Sequence, residues 1–191
     1  MPIDAKFDQI LATKIWLEDV VIGENFCPFA KKEFERQRIR YHQIKASSLA
    51  DMLWQIEQEF KVLDNDSDTE TTLLLFSSDN TKLSVECFDD FLFIVEEANR
   101  LLVRMGYEGI YQIATFHPQY LFAGEPEDSP SHYTNRSPYP MLHIIRENSI
   151  DRALRTYKDP ESIPVINVER SLALGVAYFK QQLLKARNAG Q

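Results

Sequence analysis

The sequence predicts an α+β fold: a single domain over residues 1–191, with a mixed sheet of about four strands and helices packed on it. The chain has 191 residues and 44% hydrophobic content, which suits one domain with its own core. Strand-like segments alternate with amphipathic segments, and this alternation implies crossover connections and parallel strand pairs. A long proline-rich loop before the last strand leaves that strand free to run antiparallel.

The N-terminal part of the chain predicts two helices and a strand. Asp4 is the expected cap of the first helix, and Gly23 lies where a glycine commonly follows a helix end. Pro28 suits the first position of a short second helix, because its missing N–H would have no partner there. Cys27 would then be the N-cap of that helix, and Arg38 to Ile44 is predicted to be a strand.

The middle of the chain predicts two amphipathic helices and two strands. Ser48 and Asp51 resemble a capping box at the start of a helix. Thr71 to Ser77 is a short continuous apolar run, which is typical of a central buried strand. A second amphipathic helix is closed by Gly106, and Gly109 to Phe116 is predicted to be the next strand.

The C-terminal part predicts a strand from Met141 to Arg146, followed by two helices. Asn148 or Ser149 is the expected cap of the first of these helices, which Asp159-Pro160 would end. Asn167 is the expected cap of the last helix. The inward face of that helix would carry Val168, Leu172, Val176, Phe179 and Leu183.

The proline-rich loop is the part of the chain with the most chemically active side chains. Five of the nine prolines lie between Pro118 and Pro140, so this segment is neither a regular helix nor a central strand. A loop of this length inside a compact domain is usually functional or disordered. Its aromatic residues argue against disorder. We therefore expect a functional site in the segment from His117 to His143.

Composition and charge exclude several classes of function. The net charge is −8 at pH 7, and an acidic surface repels phosphate backbones, so we expect no nucleic-acid partner. No apolar run reaches the length of a membrane span and no signal peptide is evident, so we expect a cytoplasmic protein with no membrane partner. The two cysteines form no Cys-x-x-Cys motif and are expected to be free thiols. Nothing in the sequence predicts the oligomeric state.

Cys27 has two interpretations. At a helix N-terminus, close to Lys31 and Lys32, its thiolate would be stabilised and could act as a nucleophile. Alternatively it is a small buried hydrophobic residue between Phe26 and Phe29, which is how most free cysteines behave.

Three histidines lie in the proline-rich segment or at its edges. His117 follows the end of one predicted strand, and His143 lies in the next. If those strands are neighbours, both imidazoles can face one pocket, where either is a candidate general acid–base. Alternatively one is exposed and the other is a core residue with satisfied hydrogen bonds.

Arg136 lies in a loop that prolines stiffen, and its guanidinium fork suits a carboxylate or a phosphate. We expect Tyr133, Asn135 and Arg146 to contribute to the same ligand site. The alternative is that Arg136 forms a salt bridge with an acidic residue nearby in the sequence: Glu125, Glu127 or Asp128.

These residues support three hypotheses. The first is an enzyme that acts on a small anionic molecule through Cys27, His117, His143 and Arg136. The second is a non-catalytic protein that binds a small molecule in the same pocket. The third is a transition-metal site built from Cys27, His117, His132 and His143, although no ligand spacing is diagnostic. The cofactor is unknown, because the chain has no phosphate-binding glycine loop, dinucleotide fingerprint or nucleophile elbow.

Three segments carry a resemblance to a known family: Asn25 to Ala30, Tyr111 to Gly124, and Tyr133 to His143. Over nearly its whole length the chain resembles an uncharacterised bacterial family catalogued as domain of unknown function 1415. The resemblance implies a single bacterial cytoplasmic domain and supplies no activity. It places four candidate residues within the family's motif segments: Cys27, His117, Arg136 and His143.

Overall fold

The computed structural model describes residues 8–76, 84–155 and 157–191. Its helices and strands follow the predicted order. They are α1 (Gln9–Trp16), α2 (Ala30–Glu35), β1 (Ile39–Ile44), α3 (Leu49–Asn65), β2 (Thr71–Phe76), α4 (Phe88–Arg104), β3 (Tyr111–Phe116), β4 (Met141–Arg146), α5 (Glu147–Arg155) and α6 (Ile163–Ala189). A π-helical segment (Leu17–Ile22) continues α1, and two 3₁₀ turns occupy Pro130–Thr134 and Pro160–Ser162.

The four strands form one mixed sheet in the order β1-β2-β4-β3. β1 and β2 are parallel, whereas β4 runs antiparallel to both of its neighbours. The predicted α+β fold with a mixed sheet is therefore confirmed. The long loop connects β3 to β4, and these two strands are neighbours in the sheet.

A hydrophobic core lies on each face of the sheet. Leu74 and Phe76 of β2 face the core formed with α3 and α4. Leu73 and Leu75 face the opposite core, which is formed with α1, the π-helical segment and α6. All six residues of β2 are buried because helices cover both faces of the central strand. This explains the continuous apolar run in the sequence.

Two predicted helix ends are confirmed in detail. The Ser48 hydroxyl accepts a hydrogen bond from the Asp51 N–H at 3.2 Å and caps α3. After α4, Gly106 has a φ of +75°, a left-handed conformation that suits glycine. The Tyr107 N–H then donates to the Leu102 carbonyl at 3.1 Å, which completes a Schellman motif.

The first helix neither begins nor ends as predicted. Asp4 lies outside the described residues, and the Asp8 carboxylate caps α1 by accepting from the Leu11 N–H at 2.9 Å. Gly23 has a right-handed φ of −60°, and the left-handed residue is Asn25, with a φ of 57°. The π-helical segment shifts the end of the helix, so the prediction for Gly23 was wrong.

Three other predicted caps were also wrong. α2 begins at Ala30, so Cys27 is not its N-cap. α5 begins at Glu147 directly after β4, which places Asn148 and Ser149 inside the helix. α6 begins at Ile163, and the Asn167 amide instead donates to the Phe26 carbonyl at 2.8 Å. The Asn167 side chain therefore makes a tertiary hydrogen bond instead of the helix cap that the local sequence predicts.

α6 consists of two helical segments, residues 163–174 and 176–189. Gly175 has a φ of 77° and a ψ of 164°, which breaks the helix in a conformation available almost only to glycine. The Glu24 carboxylate holds both segments, because it accepts hydrogen bonds from Arg170 before the break and Tyr178 after it.

The predicted inward face of α6 is correct only after the break. Phe179 is buried, whereas Val168 is 37% exposed and Leu172 is 55% exposed. Among the described residues, no helix is long and apolar enough to cross a membrane.

Candidate functional site

A cleft of about 460 Å³ lies between the proline-rich loop and the second segment of α6. We call it the Arg136 cleft. Its lining combines two cationic side chains, two carboxylates, an aromatic ring and an aliphatic side chain: Arg136, Lys180, Glu127, Asp128, Tyr133 and Val176. The loop supplies four of these residues and α6 supplies the other two, so packing of the loop on α6 creates the site.

The loop is held in shape by a buried imidazole. His132 lies in the 3₁₀ turn, and its Nδ1 accepts a hydrogen bond from the Phe122 N–H at 3.0 Å. The Nε2–H then donates to the Pro126 carbonyl at 2.8 Å. Both ring nitrogens are therefore used in fixing the backbone, Nδ1 as an acceptor and Nε2–H as a donor.

His117 serves the same purpose at the start of the loop. Its Nδ1 accepts from the Gln119 N–H at 3.0 Å, and its Nε2–H donates to the Val85 carbonyl at 3.1 Å. The ring is fully buried against Phe88 and Phe91, and burial lowers its pKa. Proton transfer at His117 would break one of these hydrogen bonds, so the geometry is that of a structural brace.

Arg136 is positioned by its loop while its charged end is left available. Its Nε donates to the Tyr120 carbonyl at 3.0 Å. Its guanidinium carbon lies 4.8 Å from the centroid of the Tyr133 ring, and that ring stacks on Phe179 at 5.0 Å. Within residues 8–76, 84–155 and 157–191, the terminal nitrogens of Arg136 have no hydrogen-bonding partner.

The salt bridges considered as an alternative for Arg136 do not form in the described parts of the chain. Glu127 and Asp128 line the cleft without reaching ion-pair distance of Arg136. Glu125 instead accepts hydrogen bonds from Ser129 at 3.3 Å and Ser131 at 3.4 Å. The guanidinium therefore keeps both terminal donors for another group.

Tyr133 and Asn135 contribute in different ways. Tyr133 lines the cleft, and its ring contacts the Arg136 guanidinium at 4.8 Å and the Phe179 ring at 5.0 Å. The Asn135 amide donates to the Thr115 carbonyl at 3.1 Å, and the Asn135 carbonyl accepts from the His117 N–H at 3.1 Å. Asn135 thus fastens the loop to β3 and holds the segment that carries Arg136.

Arg146 lies at the far end of β4, away from Arg136. One terminal nitrogen donates to the carbonyls of Leu63, Asp66 and Thr69 at 2.5, 3.1 and 3.2 Å. The other terminal nitrogen donates to the Tyr111 hydroxyl at 3.2 Å. These carbonyls belong to the end of α3 and the turn after it, where helices leave acceptors unpaired. The structure does not bring Arg146 to the cleft.

His143 lies on the opposite face of the sheet from His117. His143 pairs with Ala114 of β3, so these two side chains lie on the same face of the sheet. His117 follows Ala114 by three residues, and the alternation of side chains along a strand therefore puts the two imidazoles on different faces. His143 Nε2 lies 2.6 Å from the Thr71 hydroxyl oxygen, and burial lowers the His143 pKa to about 4. The strands are neighbours as required, but the expectation of one shared pocket was wrong.

Cys27 is half-buried and packs against the core formed with α1 and α6. Burial raises its pKa, and hydrogen bonds from the N–H groups of Phe29 and Ala30 only partly offset that effect. The thiol form is therefore favoured at neutral pH, opposite to what a nucleophile needs. In the described structure, Cys27 is not among the lining residues of the cleft.

Four cleft residues were not predicted as site residues: Glu127, Asp128, Val176 and Lys180. Glu127 and Asp128 were considered only as salt-bridge partners of Arg136. Val176 and Lys180 follow the break at Gly175, and an isolated glycine inside a helical pattern was the available signal in the sequence. No group of three or more His, Cys, Asp or Glu side chains that could hold a metal ion occurs among the residues described here.

Comparison with known proteins identifies a family that matches most of the chain. A family model with the description "Protein of unknown function (DUF1415)" matches residues 8–181. No curated protein and no solved structure shows a significant match to the chain.

Proposed function

The chain belongs to the family described as Protein of unknown function (DUF1415), and we propose that it binds a small anionic molecule in the Arg136 cleft. The observation that supports this most strongly is the state of the Arg136 side chain. Its Nε is bound to the protein, whereas its two terminal nitrogens have no hydrogen-bonding partner among the described residues, and Arg136 lines the cleft. A guanidinium in this state presents a planar pair of donors that matches a carboxylate or a phosphate.

The positioning of Arg136 favours binding energetically. Its hydrogen bond to Tyr120 and its contact with the Tyr133 ring restrict the side chain before any ligand arrives. A ligand therefore has little side-chain freedom left to remove, and more of the interaction energy appears as affinity. Lys180 adds a second positive charge to the lining.

Binding is better supported than catalysis through Cys27, His117 and His143. His117 uses both ring nitrogens in hydrogen bonds, and His143 lies on the other face of the sheet. The raised pKa of Cys27 reduces its thiolate fraction at neutral pH. The cleft lining contains neither a cysteine nor a histidine among the residues that the structure describes.

Calorimetric titration with inorganic phosphate and with short carboxylates tests the proposal. We expect at least one of these anions to bind, and Arg136→Gln to weaken its binding roughly tenfold or more, as for a charge-assisted hydrogen bond. Arg104→Gln is the matched control, because Arg104 is exposed on α4, on the opposite face of the sheet. Equal affinity in the wild type and Arg136→Gln, or no binding of any compound that carries a phosphate or a carboxylate, would contradict the proposal.

A further inference from the structure

We infer that the ligand of the Arg136 cleft is zwitterionic, with an ammonium group in addition to its carboxylate or phosphate. An amino acid or an aminoalkyl phosphate has this chemistry. The inference rests on the proposed function, because it assigns the second half of the same site. Arg136 and Lys180 would bind the anionic group, and Glu127 and Asp128 would bind the ammonium group.

The charges that line the cleft are balanced. The cations Arg136 and Lys180 face the same volume as the carboxylates of Glu127 and Asp128. A site selective for a simple anion would be weakened by two carboxylates, since like charges brought together without a partner cost affinity. A ligand that carries both charges turns the same carboxylates into a favourable contact.

These four charged groups do not neutralise one another. No ion pair within 4.0 Å involves any of them in the part of the chain that the structure covers. Elsewhere the protein pairs its charges closely, as in Arg40 with Glu59 at 2.7 Å and Lys185 with Asp19 at 2.6 Å. The opposite charges that line the cleft are therefore more than 4.0 Å apart, and the volume of about 460 Å³ lies within the usual range for small-molecule sites.

The carboxylates lie on a turn that the protein holds in place. Glu127 and Asp128 are the central residues of a turn closed by the Ser129 N–H, which donates to the Pro126 carbonyl at 2.9 Å. The same carbonyl accepts from buried His132 at 2.8 Å. The two carboxylates are consequently presented from a fixed backbone rather than from a solvated acidic tail.

The second segment of α6 favours placing the anionic end of the ligand near α6. Val176 lines the cleft and is the first residue after Gly175. Lys180 follows one turn later on the same segment, also lines the cleft and carries a positive charge. The positive side of the site is therefore formed by α6 and Arg136 together.

The aromatic ring in the cleft already makes two stacking contacts within the protein. The Arg136 guanidinium lies 4.8 Å from the centroid of the Tyr133 ring, and Phe179 stacks on that ring at 5.0 Å. Ligand selection in this cleft then depends on charge rather than on aromatic stacking, which favours a small aliphatic zwitterion over a nucleotide or an aryl compound.

Matched ligand pairs test the inference by calorimetry on the full-length protein. Butyrate and 4-aminobutyrate differ only in the ammonium group, as do ethyl phosphate and phosphoethanolamine; glycine, β-alanine and 6-aminohexanoate vary the distance between the charges. We expect at least one zwitterion to bind roughly tenfold more tightly than its matched anion. The double variant Glu127→Gln, Asp128→Asn should abolish that preference while the simple anion binds at least as tightly as before.

The controls distinguish failure of this inference from failure of the proposed function, which is anion binding in the Arg136 cleft. Glu108→Gln removes an exposed carboxylate before β3, at the other end of that strand from the loop, and should leave every affinity unchanged. If the simple anions bind as tightly as the zwitterions, or if the double variant keeps the preference, the zwitterionic inference is wrong and anion binding stands. If no ligand of either kind binds, both are wrong. A melting curve for each variant verifies that it is folded.

Discussion

Arg136 and Arg146 lie near opposite ends of β4, and the protein uses them in opposite ways. Arg146 donates to three carbonyls at the end of α3 and to the Tyr111 hydroxyl. Arg136 lines the cleft and hydrogen-bonds to the protein only through its Nε, so its terminal nitrogens have no partner among the residues described. Both were expected to bind a ligand, yet within the described residues only Arg136 keeps both terminal nitrogens without a partner, and Arg136 alone of the two lines the cleft.

The comparison shows how a ligand-binding side chain differs from a structural one: the ligand-binding side chain keeps hydrogen-bond donors that the folded protein does not use. The same holds for the histidines of the loop. His117 and His132 each accept one backbone N–H and donate to one backbone carbonyl, so their hydrogen-bonding capacity is used up by the fold. The residue type alone, even in a loop rich in polar groups, does not reveal whether a side chain binds a ligand or supports the fold.

The largest expected effect on stability is that of Arg146→Gln. The substitution leaves several carbonyls at the end of α3 without their donor, and we expect a loss of about 3 kcal/mol in the free energy of unfolding. Urea denaturation of the variant and the wild type measures this loss. A change below about 0.5 kcal/mol would mean that Arg146 is not the structural partner described here.

The next effect is a dependence of stability on pH through His143. Its pKa is about 4 in the folded protein, against an ordinary value of 6.5, so the unfolded chain takes up the proton first as the pH falls. The stabilisation is complete above pH 6.5 and is lost as the pH falls towards 4. We expect His143→Gln to flatten the curve of unfolding free energy against pH in this window by up to about 3 kcal/mol, because each unit of pKa difference corresponds to about 1.4 kcal/mol. Parallel curves for the two proteins would contradict this account.

Gly175→Ala should have a smaller effect on stability and a visible effect on the cleft. Nothing lies within 4 Å of the added methyl group, so the cost comes from the backbone conformation alone. We expect a loss of about 1 kcal/mol, within the range for strained backbone positions, together with weaker anion binding, because Val176 and Lys180 follow the break. Leu172→Ala, an exposed change in the first segment of α6, is the control. Gly175→Ala with unchanged stability would show that the break is not required.

Arg136→Gln should have the smallest effect on stability. The substitution removes one hydrogen bond to Tyr120 and a ring contact at a partly exposed position, so we expect a loss below about 1 kcal/mol. Its effect should appear in ligand affinity instead. A loss comparable with that of Arg146→Gln would place Arg136 among the structural arginines.

The fold could be predicted from local patterns more fully than the site could. The apolar run of β2, the Ser48 cap and the Gly106 stop are local signals, and each is confirmed. Gly23 and Asn167 were misassigned because a π-helical segment and a tertiary hydrogen bond override local preference. The hydrogen bond of Asn167 joins segments that are distant in the sequence, so only the folded chain reveals it.

Prediction of the site was limited even more by contacts between segments that are distant in the sequence. Arg136 could be identified because proline-stiffened loops hold guanidinium groups in place, but Lys180 lies on a helix far along the chain. Whether His117 and His143 share a face depends on strand register, which no sequence spacing specifies. The roles of Asn135 and Arg146 follow from backbone carbonyls that only the folded chain brings together.

The most direct test of the central claim is a side-by-side titration of inorganic phosphate and 4-aminobutyrate into Arg136→Gln and Arg146→Gln by calorimetry. We expect Arg136→Gln to lose roughly tenfold or more in affinity for the anion that binds the wild type, while it melts like the wild type. We expect Arg146→Gln to melt at a lower temperature and, below that temperature, to bind with the affinity of the wild type. The opposite pattern, or the same loss of affinity in both variants, would contradict the assignment of the ligand site to the Arg136 cleft.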